Sequence, residues 1–528
     1  MVNERIAHFK VCEICLEMGI SMLKNRSEVN MILKDLVQHI SYQVLQGSID
    51  REITELVYDS RKLTKDCVFV CICGTKRDSH DFVEEAVEKG AAAIVAEREV
   101  SVPDGVTLLV TKDTRVALAN LAAAYFGYPA RQLKTIGITG TKGKTTTACM
   151  VRGMLNAFGI PTGLIGTVEV DTGKRVIAAG NTTPESYLVQ QYFKEMVEAG
   201  CKAVVMEVSS QGLKMSRVAG ITFDYGVFTN LEPDHIGTDE HADFEEYAAC
   251  KAMLFSQCKC GILNADDANV NTMLQNHTCE VETFGVGEQA DLRAVNCNLH
   301  KKEGALLVSY KTEGLFEMDV EVKIPGTFTI YNSLTAIAIA RHFNVPKETI
   351  AKALLSVQVK GRVELLPISE RFSIMIDYAH NAMSLESLLS TLKEYEPKRL
   401  VCLFGCGGNR SKDRRFEMGE ISSRLADLTI VTSDNPRFEE PEDIIADILV
   451  GVKRADGSYV TIPDRKEAIR YGITHANDGD VIVLAGKGHE DYQEIRGVKY
   501  PMDERVLVRE IIQEMSEAER VQYGVHEW

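Results

Sequence analysis

The stretch that most limits what this chain can become is Thr135-Ile136-Gly137-Ile138-Thr139-Gly140-Thr141-Lys142-Gly143-Lys144-Thr145-Thr146-Thr147, a short apolar run entering a glycine-rich turn. Such a turn reads as a phosphate cradle. Glycines let backbone N–H groups close around phosphate oxygens, Lys144 reaches toward the terminal phosphates, Thr145 offers a hydroxyl to Mg²⁺, and the next helix presents its positive end. Ala148, Val151, Leu155 and Phe158 recur at helical spacing, and Gly159 with Pro161 ends the pattern. Ile138 stands where the long P-loop pattern has glycine, so the match is to the shorter Gly-x-x-Gly-Lys-Thr form. What favours a bound phosphate over an empty turn is the strand–turn–helix setting.

The 528 residues suffice for about three domains of ordinary size. With 59 Lys+Arg against 76 Asp+Glu the net charge is −17, which argues against a sequence-independent nucleic-acid binder. Anionic substrates must then be held by local sites. The 14 cysteines are scattered, many in segments that read as core strands such as 67–73, and reduced thiols account for them. Cys12 and Cys15 have redox- or zinc-like spacing, but no second Cys/His pair follows nearby, so no zinc site is assigned. Glu13 and Glu17 interrupt the early apolar run, and no stretch approaches the roughly 18 apolar residues of a membrane span. Neither a signal peptide nor membrane insertion is expected, and the expected location is the cytoplasm.

Strands and helices alternate along the chain, which implies mostly parallel α/β sheets. A lead of residues 1–30 has no readable role. Strands at 56–58, 68–72, 91–95 and 108–110, with helices at 82–88 and 115–126, form a first α/β domain over 31–130, closed by Gly127-Tyr128-Pro129. A central domain, 131–358, continues from the phosphate turn through strands at 203–208, 225–228 and 261–263, a polar β-rich stretch at 281–324, and a helix at 328–343. The last domain, 359–528, repeats the scheme as a doubly wound sheet with strands at 373–377, 400–404, 428–431 and 481–484.

In such sheets ligands collect at the C-terminal strand ends. Those ends are loaded here with Glu207-Val208-Ser209-Ser210, the segment from Thr229 to His235, Asp377-Tyr378-Ala379-His380, the loop from Gly405 to Arg410, Asp434-Asn435-Pro436-Arg437 and Gly486-Lys487-Gly488-His489-Glu490. Glu207 and His235 can join Thr145 around magnesium, as hard oxygen and imidazole ligands beside polyphosphate.

Taken in order, Asp59-Ser60-Arg61, Gly140 to Thr145, Asn181-Thr182-Thr183-Pro184, Glu207 to Ser210, Asp234-His235, Tyr247-Ala248-Ala249-Cys250-Lys251, Asp377 to His380 and Gly486 to Glu490 form a specific set. With them the chain resembles the ATP-dependent Mur ligases of peptidoglycan synthesis, and among these the members that add the third peptide residue. The resemblance runs from about Val57 into the C-terminal region. It implies a uridine-nucleotide domain, a central ATP domain and a C-terminal amino-acid domain. By it, Gly140, Thr141, Lys142, Gly143, Lys144, Thr145, Thr146, Asn332, Arg362 and Asp377 contact ATP. Ser60, Thr182, Thr183, Ser209 and Arg217 hold a UDP-N-acetylmuramoyl-dipeptide, and Lys144, His235 and Lys251 serve catalysis. Lys251 is implied to carry a carbamate that joins Thr145, Glu207 and His235 around Mg²⁺. The chain departs from the family form at Lys142, Met215, the loop from Gly74 to His80, and Asn381-Ala382-Met383-Ser384.

Joining an amine to a carboxylate in water requires a better electrophile, and a phosphate loop beside an acceptor supplies one through an acyl phosphate. The Asp434-Asn435-Pro436-Arg437 sequence matches the form the family uses for meso-diaminopimelate rather than L-lysine. Arg437 and Arg410 would then hold the incoming amino acid, with Gly486 and Glu490 at its distal end. The expected activity is thus an ADP-forming acid–amino-acid ligase, acting as a monomer. Two alternatives stay open: a paralogous ligase with another amino acid or acceptor, and a nucleotide-binding protein that keeps the fold without catalysis.

Overall fold

Strands that are apolar throughout, such as Val68-Phe69-Val70 and Ala93-Ile94-Val95-Ala96, need cover on both faces, and the fold supplies it. The computed structural model describes residues 31–74, 77–234, 236–237, 240–302 and 305–528. They divide into two compact units, one comprising the described residues up to Arg131 with Glu185–Lys194 and Met215–Ile221, the other the remainder.

The first unit holds strands Gln43–Gln46 (β1), Leu56–Val57 (β2), Val68–Val70 (β3), Ala93–Ala96 (β4) and Thr107–Val110 (β5) in the order β1-β5-β4-β3-β2. All pairs are parallel except β1 with β5. Helix Thr114–Tyr125 (α1) is started by Asp113, whose carboxylate accepts from the Arg115 and Val116 amides. Its Leu118, Leu121 and Ala122 are buried in a cluster with Val68, Val70 and Leu109.

The second unit carries an 11-stranded sheet. In chain order its strands are Lys134–Thr139 (β6), Thr162–Ile165 (β7), Glu169–Asp171 (β8), Val176–Ala178 (β9), Ala203–Glu207 (β10), Phe223–Phe228 (β11), Cys258–Asn264 (β12), Glu280–Gly285 (β13), Leu292–Lys302 (β14), Ala305–Gly314 (β15) and Met318–Val322 (β16). They lie in the order β9-β8-β7-β10-β6-β11-β12-β13-β14-β15-β16. From β7 to β14 the pairing is parallel, and both margins are antiparallel. Register sets where the loops emerge: Ile138 pairs with Glu207 and Thr139 with Phe228, so the phosphate turn and the loops after β10 and β11 leave the sheet at one edge.

Helix Lys144–Ala157 (α2) lays Ala148, Val151, Met154 and Leu155 into a core shared with Ile136, Ile138, Leu334 and Ile337, where each buried Leu or Ile side chain contributes about 1.5–3 kcal/mol. Phe158, the last member of the helical pattern, is 40% exposed because it is the C-cap, beyond the final turn that faces the sheet.

A further sheet of six strands comprises Glu364–Leu366 (β17), Ser373–Asp377 (β18), Arg399–Phe404 (β19), Leu428–Val431 (β20), Tyr459–Thr461 (β21) and Asp480–Ala485 (β22), ordered β17-β18-β22-β19-β20-β21. Four of its five pairings are parallel, which gathers the loops after β18, β19, β20 and β22 at one edge. The hairpin Tyr492–Ile495 (β23) and Val498–Pro501 (β24) follows the last of them. Among the described residues no helix is long and apolar enough to cross a membrane.

Candidate functional site

The phosphate turn is closed by contacts that leave no room for side chains at its glycines. A Cβ on Gly140 (φ +148°) would collide with the Thr229 hydroxyl, and one on Gly143 (φ +84°) with the Asn332 side-chain oxygen. Thr229 donates to the Lys142 carbonyl at 2.7 Å, while Asn230 takes the Lys142 amide at 2.9 Å and donates to its carbonyl at 3.0 Å. The side chain of Lys142 pairs with Glu232 at 2.6 Å.

Two lysines converge on one carbonyl. Lys144 donates to the oxygens of Gly140 (2.7 Å) and Thr141 (2.9 Å), and Lys251, on helix Phe244–Ala252 (α3), donates to Gly140 at 2.8 Å. Desolvation draws the Lys144 ammonium below the usual lysine range, with Glu207 opposing it. Lys251 is 2% exposed, and desolvation followed by the charge of Lys144 pulls it well below its usual value. Its ammonium lies 4.5 Å from the centre of the Tyr247 ring, and the Tyr247 hydroxyl meets Thr141 at 3.0 Å.

At the end of β10, Glu207 is 1% exposed and fully engaged. It accepts from the Thr145 hydroxyl (3.1 Å), the Thr167 amide (2.9 Å) and the Thr167 hydroxyl (2.9 Å). Thr167 in turn meets Thr182 at 3.1 Å, and Thr183 donates to the Glu207 carbonyl at 3.0 Å while taking the Ser209 amide at 2.9 Å. The fold therefore brings Thr145, Thr182, Thr183, Glu207 and Ser209 into one continuous network. Ser60 and Arg217 belong to the other compact unit, where Ser60 starts a short turn after Asp59 and Arg217 faces Glu185 at 3.8 Å. His235 lies outside the described residues.

The three residues assigned to the nucleotide from the sequence, Asn332, Arg362 and Asp377, are buried or half-buried. Asn332, on helix Phe328–His342 (α4), accepts from Thr147 at 3.3 Å, yet its buried amide nitrogen has no hydrogen-bond partner. Asp377 accepts from the Val363 and Ala379 amides, both at 2.8 Å, and burial raises its carboxyl above the usual range while the Arg362 guanidinium opposes this. Arg362 itself lies 5.3 Å over the Tyr378 ring. On the opposite flank of α2, a cavity of about 340 Å³ runs from Thr145 and Glu207 to the linker at Lys360.

The C-terminal loops are bound to each other by charge. Asn435 donates to Glu490 at 2.9 Å, and Lys487, with no exposed surface, donates to Asn435 (3.0 Å), Glu490 (2.9 Å) and the Tyr492 carbonyl. Burial pushes the Glu490 carboxyl up, but Lys487 and Asn435 outweigh it and the net shift is downward. Arg437 adopts φ +54°, donates through Nε to Glu494 (3.1 Å) and through a terminal nitrogen to the Gly408 carbonyl (2.8 Å). Gly486 (φ +110°) donates its amide to the Asp377 carbonyl at 3.0 Å, Asp434 accepts from the Asn435 amide at 2.6 Å, and Arg410 is exposed. The sequence assigns no role to Lys487 or Glu494: Lys487 is hidden within the Gly486–Glu490 loop, and Glu494 sits on a hairpin whose one turn signal, Gly497, does not say which loop the hairpin packs against.

Other groups of ligand-type side chains are satisfied by protein. His80 uses one ring nitrogen on Asp78 (2.6 Å) and the other on the Glu97 amide (3.0 Å), beside Cys73. In the group of Cys260, Glu282 and His342, Arg341 already neutralises Glu282.

Family models for the Mur ligase middle domain, the Mur ligase glutamate ligase domain and the Mur ligase catalytic domain match residues 138–340, 361–488 and 52–126. A Clostridium perfringens protein named UDP-N-acetylmuramoyl-L-alanyl-D-glutamate–2,6-diaminopimelate ligase is 41% identical over 490 residues, covering 92% of this chain and 100% of the relative. The chain belongs to the Mur ligase family. A second relative of that name, from Geobacillus kaustophilus, is 40% identical over 92% of this chain and 100% of its own length. Among solved structures, one titled as a diaminopimelate ligase of the same substrate matches with TM-score 0.70 at 27% identity, covering 92% of this Mur ligase and 100% of that chain. An ADP complex of MurF from Thermotoga maritima matches at TM-score 0.53 and 18% identity over 89% of this chain and 98% of that one, a likeness of fold alone. The α/β architecture of parallel sheets expected from the sequence is therefore that of an established ligase family.

Proposed function

We propose that this Mur ligase joins meso-diaminopimelate to UDP-N-acetylmuramoyl-L-alanyl-D-glutamate at the expense of ATP, forming an amide and ADP in peptidoglycan synthesis. The observation that carries the reading is the pairing, in one compact unit, of a Gly-Lys-Thr turn served by two lysines with an Asp-Asn-Pro-Arg loop bonded to Gly-Lys-Gly-His-Glu. Full-length relatives of that name at 40–41% identity support it. The domain reading is 31–130 for the uridine nucleotide, with Ser60 near it, 131–358 for ATP and 359–528 for the amino acid. The proposed location is the cytoplasm and the proposed state a monomer.

ATP would be held by the 140–146 turn, with Asn332, Arg362 and Asp377 also contacting the nucleotide. Lys144 exchanges its bonds to the Gly140 and Thr141 carbonyls for phosphate oxygens and meets the charge that develops as the γ-phosphoryl group moves to the acceptor carboxylate. The acyl phosphate so formed is attacked by the amine, and phosphate leaves. Mg²⁺, held by Thr145, Glu207, His235 and a carbamate on Lys251, would neutralise phosphate charge. The depressed basicity of Lys251 supports the carbamate, because a neutral amine is the form that adds CO₂, losing a proton and becoming an anionic oxygen donor. Thr182, Thr183, Ser209 and Arg217 would orient the dipeptide. Arg437 and Arg410 would receive carboxylates of the amino acid, and Gly486 and Glu490 its distal ammonium end.

The test is ADP release and product mass with UDP-N-acetylmuramoyl-dipeptide, ATP, Mg²⁺ and a panel of amino acids. A product heavier by one diaminopimelate residue is expected. Equal use of L-lysine overturns the amino-acid assignment, and no acceptor-dependent ADP release overturns the reaction.

A further inference from the structure

Both loops of the candidate amino-acid site rest on one buried guanidinium beneath them. Arg465 opens helix Arg465–Thr474 (α5), is 2% exposed, and donates in three directions. One terminal nitrogen reaches the Ser433 carbonyl at 2.9 Å, the other the Ala485 carbonyl at 3.0 Å, and Nε the Glu504 carboxylate at 2.9 Å. Ser433 directly precedes Asp434, and Ala485 directly precedes Gly486. A single planar group thus spans the roots of the two loops.

Glu504, from helix Glu504–Glu514 (α6), has no exposed surface, and its second carboxylate oxygen lacks a hydrogen-bond partner. As a source of stability such a pair is poor, because desolvating two charges costs about what their attraction returns. As a spacer it is well suited: the guanidinium is rigid, its donors diverge at fixed angles, and Glu504 holds it in plane. Arg415, the other fully buried arginine among the described residues, ties Glu439 to Asp447 and reaches the Gly407 carbonyl at 3.5 Å, on the Gly405–Arg410 loop rather than the Gly486 loop.

Resting on the function proposed above, we infer that Arg465 is a positioning residue for the incoming amino acid, fixing the separation of the Asp434–Arg437 and Gly486–Glu490 loops, with Glu504 orienting it. An ammonium has its three donors on one atom, so it cannot span the two carbonyls at the separation and in the plane that the guanidinium fixes.

The experiment compares the full-length wild type with Arg465→Lys and Glu504→Gln, measuring kcat, the KM of each of the three substrates, and Tm. For Arg465→Lys the KM for diaminopimelate should rise at least about tenfold, since small displacements of binding groups are felt strongly. The KM values for ATP and the UDP-linked acceptor should stay within about twofold. Glu504→Gln should shift the same single KM in the same direction by a smaller factor. A folded variant pair with the diaminopimelate KM unchanged overturns the inference, as does a parallel rise in all three KM values. If Arg465→Lys does not fold, Glu504→Gln decides, and failure of both to fold assigns the pair a structural role instead. Absence of diaminopimelate ligation by the wild type would be a failure of the proposed function, visible before any variant is compared.

Discussion

The phosphate turn and the C-terminal loop pair treat charge in opposite ways. At the turn, Lys144 and Lys251 both commit hydrogen bonds to the Gly140 carbonyl, and desolvation weakens each as a base. In the loop pair nearly every cation has an anion: Lys487 with Glu490, Arg437 with Glu494, Arg465 with Glu504, Arg415 with Glu439. At the turn Lys144 spends its bonds on main-chain carbonyls, and a polyphosphate that takes those bonds over would complete the electrostatics of the site. A region already neutral gains little from bulk charge and must select by the geometry of exchangeable bonds. The first arrangement suits the substrate that drives the reaction, the second the substrate that must be told from a near twin.

The largest expected break in this comparison is Lys144→Ala, which should lower kcat by about 10²–10³-fold, the usual cost of removing one preorganised donor to developing charge. Its circular dichroism and Tm should stay near wild type, and undiminished amide formation would remove phosphoryl activation from the reading. Lys251→Ala should cut ligation by up to a similar factor, and here a short carboxylic acid in the buffer should restore part of the rate by supplying the missing anionic oxygen. A mutant as active as wild type would show that no carbamate is needed.

A smaller effect is expected in the loop pair. Arg437→Ala should leave ATP use intact but reduce the preference for diaminopimelate over L-lysine by roughly 10–100-fold in competition at equal concentration. An unchanged preference would move the distal-carboxylate contact elsewhere.

The smallest effect concerns the pairing itself. Hydrogen bonds from Arg415, and then from the Asn409 amide, bring the Glu439 carboxyl down to about 2. The folded value lies below the unfolded one, so this stabilisation is complete above the unfolded value of about 4.5 and is lost as pH falls through the folded one. The gap in Tm between wild type and Glu439→Gln should therefore hold steady from neutral pH to about pH 5 and close toward pH 2. Because Glu439 is partly open to solvent, the gap should be small. A gap that persists undiminished at pH 2 would detach the effect from ionisation.

Much of this molecule was determined by local pattern. The strand-to-glycine turn at 134–143, the buried strands ending in Glu207 and Asp377, and the helix at 328–342 are stated by apolar runs, their terminators and helical spacing, all short-range properties of the chain. Motif order placed Asp434–Arg437 and Gly486–Glu490 at strand ends for the same reason. Tertiary structure alone decided the pairings across long separations. That Lys251 meets Gly140 depends on how β11 and β12 register against β6, that Arg465 reaches both Ser433 and Ala485 depends on the order of six strands, and that Glu494 restrains Arg437 depends on a hairpin of mixed polarity. No single segment encodes such contacts, because each is fixed by the packing of elements whose own sequences are compatible with many partners.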